Sequence, residues 1–178
     1  YYDKEKMMEL KKKDETYNWL RKKNRLYEDQ LNHLRKYKVT FQNQLSICFP
    51  GYLDLFKDGY SDIPMTILKK YPHPDLLKNK KAETVARYLE KNTCHTHKVS
   101  LEYALKIIEF AKKTYPGCEK DDVEVEIFKI LLDKVIETQR ECEKTLNEMI
   151  TVASTLEEYR YISSIDGIGP NLAARIIA

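Results

Sequence analysis

Breaks are scarce in this chain: its 178 residues include only 5 glycines and 6 prolines. Those two residues punctuate regular structure, so long uninterrupted elements are expected and an all-β fold of short strands and tight turns is excluded. No apolar run approaches the ~20 residues needed to cross a bilayer, and no signal peptide is visible. Its four cysteines (Cys48, Cys94, Cys118, Cys142) never form a C-x-x-C pair. Neither a disulfide framework nor a zinc site is therefore read, and a reducing cytoplasm is the expected setting. One-sided charge is missing too, because a net charge of +3 is too small to demand a polyanionic partner by itself. A phosphate-cradling G-x-x-x-x-G-K loop, a Ser-His-Asp order and a paired acidic motif on a strand are all absent. No catalytic residue is assigned, and no metal or cofactor is expected within this chain.

What is present is patterned charge. Charged residues make up 33% of the chain and hydrophobic ones 42%, which fits a helix-rich protein with extended surfaces. Residues 1–50 carry 12 basic and 7 acidic side chains, and 51–118 carry 12 and 8. Residues 119–160 reverse the balance, with 6 basic and 12 acidic. A basic helix beside an acidic one pairs well, so part of this asymmetry is expected to be internal.

A heptad seam runs from Leu10 through Tyr17, Leu20, Tyr27, Leu31, Leu34, Phe41 and Leu45 to Cys48, interrupted by Lys13, Asn24 and Lys38. With neither Pro nor Gly before Pro50-Gly51, it predicts one helix of roughly 65 Å. A second seam follows Val125, Phe128, Leu132, Val135, Gln139, Cys142, Leu146, Met149, Ala153 and Leu156. The expected fold is all-α: a long antiparallel coiled-coil stalk, a small helical insert at its tip and a truncated helix-hairpin-helix at the C-terminus. The corresponding segments are 1–49 (first stalk helix), 50–118 (insert), 119–160 (second stalk helix) and 161–178 (start of the hairpin). In this arrangement Asn24 falls near the level of Gln139, where a buried polar pair would fix register. Within the insert, Ile63–Tyr71 and Ala82–Glu90 read as short helices, and Ser100 as the cap of a longer one through Lys113. His73, between two prolines, reads as a turn residue, and Cys94-His95-Thr96-His97 as a loop with incidental histidines.

Ligand chemistry is suggested at Ser164-Ile-Asp-Gly-Ile-Gly-Pro-Asn-Leu-Ala-Ala-Arg-Ile-Ile-Ala178. Gly167 and Gly169 permit a tight turn, and Pro170 suits a first helical position. Amides from Gly167 and Ile168 through Gly169 to Asn171 would then face outward at a helix N-terminus, where a nucleic-acid phosphate binds well. A Gly-terminated helix followed by a Pro-started one fits the same residues. Basic side chains at Arg21, Lys22, Lys23 and Arg25, near Tyr17, Trp19 and Tyr27, form a second candidate contact for phosphates and unpaired bases. A solvated coiled-coil face is the alternative there, and Trp19, off the seam, is the more suggestive aromatic. Further basic clusters stand at Lys11–Lys13, Arg35-Lys36 and Lys78–Lys81.

Taken in order, Arg21-Lys-Lys-Asn-Arg-Leu26, Leu45-Ser-Ile-Cys-Phe-Pro-Gly-Tyr-Leu-Asp-Leu-Phe56, Ile67-Leu-Lys-Lys-Tyr-Pro-His-Pro74 and Ser164-Ile-Asp-Gly-Ile-Gly-Pro170 resemble the middle of an insertion-sequence 110-type transposase, a DNA recombinase of bacterial mobile elements. The resemblance covers nearly the whole chain. It implies an N-terminal RuvC-like nuclease domain with acidic DEDD residues and a C-terminal domain with a catalytic serine, both outside this chain. A divalent metal is implied only for that nuclease domain. DNA, a structured guide RNA and further copies joined through the coiled coil are the implied partners; no membrane partner is expected. Asp166 departs from the family pattern, where Pro is common before the first Gly. Since the chain begins without Met and stops inside a predicted helix, it reads as a piece of a larger protein. The competing reading is a non-enzymatic coiled-coil adaptor for other proteins, with a repair-type helix-hairpin-helix binder as a third.

Overall fold

A computed structural model describes the backbone of residues 4–178 and the side chains of Met8 and of residues 14–178. Leu10 and the Lys11–Lys13 cluster therefore lie outside the described side chains. Among the described residues all regular structure is helical: α1 (Lys4–Cys48), α2 (Asp62–Lys70), α3 (Ala82–Asn92), α4 (His97–Lys113), α5 (Val123–Ala153), α6 (Glu157–Ser163) and α7 (Pro170–Ile177), with 3-10 turns at Tyr52–Leu55 and Pro74–Leu76. The chain divides into two compact units, Lys36–Ile136 and Tyr1–Arg35 with Glu137–Ala178.

In the Lys36–Ile136 unit, Phe41 of α1 packs on Phe128 of α5 with ring centroids 5.2 Å apart. One turn further along α1, Gln44 Nε2 donates to the Glu124 carbonyl at 3.0 Å. This order makes the two segments antiparallel. Every described seam residue of this unit, from Phe41 to Cys48 and from Val125 to Val135, is buried. Pro50-Gly51 ends α1 as expected: Gly51 has φ +73, strained for any L side chain, and a Cβ there would meet the Phe110 ring at 3.2 Å. The Tyr52 phenol, fully buried, donates to the Pro64 carbonyl at 3.0 Å and so ties the first 3-10 turn to α2.

One expectation about this unit is corrected. Ser100 does not cap α4. That helix begins at His97 with Thr96 as N-cap, and Ser100 lies within its first turn, fully buried and with an unpartnered hydroxyl. His73 is in a turn, as expected, and is fully buried there. Its buried ring lies 3.1 Å from the Cys118 carbonyl through Nε2 and accepts from the Asp75 amide through Nδ1 at 3.3 Å. These bonds assign the proton to Nε2 and make the imidazole a cap for the second 3-10 turn.

Among the described residues of the other unit, a small core joins Leu20, Met149, Ala153, Leu156 and Ala174, with Tyr17, Trp19, Tyr27 and Tyr159 packed against it. Lys23 Nζ meets Glu148 Oε2 at 2.5 Å. This contact sets a register in which Asn24 stands level with Asn147. The expected Asn24–Gln139 pair is therefore not made; Gln139 bonds Glu143 and the Asn24 Oδ1 is buried without a partner. The second long helix also stops sooner than its seam, at Ala153. Ser154 and Thr155 turn their hydroxyls onto the Thr151 and Val152 carbonyls at 2.8 and 2.7 Å, competing with the backbone for its acceptors. Leu156 thereby becomes the N-cap position of α6 and closes the core.

Candidate nucleic-acid interface

The segment from Ser164 to Asn171 joins two short helices by a turn of local bonds. The Ser164 hydroxyl closes α6 on the Tyr161 carbonyl at 2.7 Å, and the Ile168 amide donates to Ile165 at 3.0 Å. Gly167 has φ +87, a conformation only glycine adopts at ease. Gly169 differs: at φ −79 and ψ 171 its backbone is extended and open to any residue. A Cβ added at either position would find nothing within 4 Å. Gly167, Gly169 and Asn171 are exposed and Ile168 is half-buried, so the elbow faces outward.

Pro170 opens α7, and no side chain caps that helix. The Ala173 amide is the first to find an acceptor, the Gly169 carbonyl at 3.0 Å. Asn171 and Leu172 thus present first-turn amides without a protein acceptor, and the positive end of the helix dipole points the same way. Such a surface attracts an anion, whereas the exposed Asp166 carboxylate in the same turn opposes one.

Helix α7 is held in place from behind. Ala173 and Ala174 are fully buried, and their small side chains allow close approach of the helix. Arg175 pairs with Glu28 of α1 and lies over the Tyr27 ring at 5.4 Å. Burial pushes the Tyr27 phenol above its ordinary value, against the opposing pull of Arg175. Arg175 was not singled out from the sequence; its partner is 147 positions away, and no local pattern announces such a pair.

The basic cluster divides. Arg21, Lys22 and Arg25 are exposed, with Arg21 only weakly engaged by Asn18 at 3.5 Å. Lys23 is instead committed to Glu148, whose carboxyl its hydrogen bond holds below the usual range. Trp19, off the heptad seam, is half-buried against the Leu20 cluster, with Lys23 over its ring at 5.3 Å. The elbow and the Arg21–Arg25 cluster belong to the same compact unit.

Elsewhere, His97 is flanked by Glu90 at 3.2 Å and Glu83 at 3.5 Å, while Cys94 and His95 are exposed. Among the described residues no three His, Cys, Asp or Glu side chains are grouped as a metal would require, and no helix is long and apolar enough to cross a membrane. Comparison with protein-family models, curated proteins and solved structures returns no match.

Proposed function

We propose that this chain is a non-catalytic segment of a DNA transposase of the insertion-sequence 110 type, serving as a scaffold and touching nucleic acid through the Gly167–Asn171 elbow. The paired α1 and α5 segments act as an antiparallel coiled coil, and α6–elbow–α7 as the opening of a helix-hairpin-helix. Arg21, Lys22 and Arg25 supply further phosphate contacts, while Lys23 is held back by Glu148.

The observation that carries this reading is Gly169. Its backbone angles suit any residue and its missing Cβ would touch nothing in the chain, so neither strain nor crowding calls for glycine there. A polyanion backbone approaching within van der Waals distance of the amides supplies one. The test is binding to duplex DNA and to structured RNA across a salt series, comparing the protein with Gly169→Val. The protein binds with an affinity falling steeply as salt rises, and the variant, still fully folded by thermal unfolding, binds several-fold more weakly. Equal binding by the two proteins, or binding indifferent to salt, overturns the reading and leaves the protein-adaptor alternative.

A further inference from the structure

Cys48 is the last residue of α1 and Cys118 lies in the segment between α4 and α5. Seventy positions separate them, yet their sulfurs stand 3.8 Å apart. The backbone holds this approach from both sides. The Gly117 amide donates to the Ile47 carbonyl at 2.8 Å, and the Cys118 carbonyl lies 3.1 Å from Nε2 of the buried His73. Side-chain rotation alone must therefore close the remaining gap to the ~2.05 Å of a disulfide. The other two cysteines lack this arrangement: Cys94 is exposed and Cys142 is buried in the other unit.

We propose that Cys48 and Cys118 are a reversible oxidation site, converted to an intramolecular disulfide by a low-molecular-weight disulfide such as oxidised glutathione. The half-exposed Cys118 reacts first. Its thiolate attacks one sulfur of the oxidant, breaking that S–S bond, forming a mixed disulfide and releasing one thiolate. Cys48 then loses its proton and attacks the Cys118 sulfur; the Cys48–Cys118 bond forms and the second small thiolate leaves. The two cysteines give up two electrons and two protons, and the oxidant becomes two thiols. Burial pushes the Cys48 thiol up to about 12 and raises Cys118 as well. Both are protonated at neutral pH, so the step is slow there and quickens as pH rises.

The bridge closes a loop around α2, α3 and α4, restricting the unfolded chain more than a short loop would. Oxidation thus clamps the end of α1 to the approach to α5 and stiffens the Lys36–Ile136 unit.

The test uses the full chain with Cys94→Ser, which removes the exposed thiol. After incubation with oxidised glutathione at pH 8, thiols are counted by alkylation in denaturant and peptides mapped without reduction. The expected result is one remaining alkylatable cysteine, Cys142, a Cys48–Cys118 cross-linked peptide, and a Tm raised by about 10 °C and restored by dithiothreitol. Cys48→Ser in the same background traps the glutathione adduct on Cys118, and Cys118→Ser abolishes the reaction at Cys48. Three thiols left alkylatable, an adduct persisting on Cys118 while Cys48 is present, or a bridge involving Cys142 overturns the proposal.

Discussion

The two units bury their side chains on different scales. Lys36–Ile136 encloses Tyr52, Phe41, Phe49, Phe128, Ile67, Leu68 and Leu77 without exposure, whereas among its described residues the other unit contributes Leu20 and Met149 to the same group of large, fully buried side chains. Helices α2, α3 and α4 and a series of paired aromatic rings, including Phe41, Phe49, Tyr52, Phe56 and Tyr103, close the first core; among the described residues a few side chains and one arginine close the second. The lesson is a division of labour. The unit with the thick core carries the fold's stability, and the unit with the thin core carries the open elbow. Its α7 is seated by Ala173, Ala174 and Arg175 while Leu172 and Ile176 remain exposed.

The largest effect that sharpens this contrast is Phe128→Ala, which deletes a stacked ring from the thick core and costs about 4 kcal/mol in urea unfolding. Met149→Ala in the thin core costs about 2 kcal/mol, because a sparsely walled cavity collapses more readily. Equal costs would break the contrast. Next comes Gly167→Ala, which forces a Cβ into φ +87 and lowers stability by about 1 kcal/mol. Gly169→Ala meets neither strain nor a neighbouring atom and loses only N-cap preference, so it costs less than Gly167→Ala in thermal unfolding.

Arg175→Met removes an ion pair more than a third exposed on each side and so costs roughly 0.5 kcal/mol or less. Amide exchange in α7 nevertheless speeds up while exchange in α4 does not. The smallest effect is the acid limb of the stability curve. Lys23 lowers Glu148 in one unit and Lys78 lowers Asp75 in the other. A carboxyl lowered by folding contributes stability that is present above its unfolded value, near pH 4, and is lost as pH falls through the folded one. Lys23→Met and Lys78→Met therefore flatten the limb only below about pH 4. For nucleic-acid binding, Asp166→Asn removes the opposing carboxylate and strengthens salt-sensitive affinity modestly.

Much of the helical framework was legible because a buried stripe must recur every three or four residues; Phe41, Leu45, Phe128 and Leu132 were all named by that rule and all are buried. The end of α1 was legible because Pro50-Gly51 can only break a helix there. Register was not. Asn24 and Gln139 looked like partners on polarity alone, but the alignment follows the meeting of Lys23 with Glu148, which lie more than a hundred residues apart in sequence. The stop at Ala153 escaped because serine and threonine bend a helix only when their hydroxyls turn inward. Of the candidate site, the glycine geometry could be read locally, since a turn is a local object. The Arg175–Glu28 anchor, the loss of Lys23 to Glu148 and the meeting of Cys48 with Cys118 could not, since each depends on tertiary approach.

Pro170 gives the elbow one more property. Proline interrupts the row of donors, leaving the amides of Gly169 and Asn171 separated by a nitrogen with no hydrogen to offer. Behind that gap the Asn171 and Leu172 amides stand as neighbours before the Ala173 amide finds the Gly169 carbonyl, so the run of free donors in the first turn is cut to a pair by one imino acid.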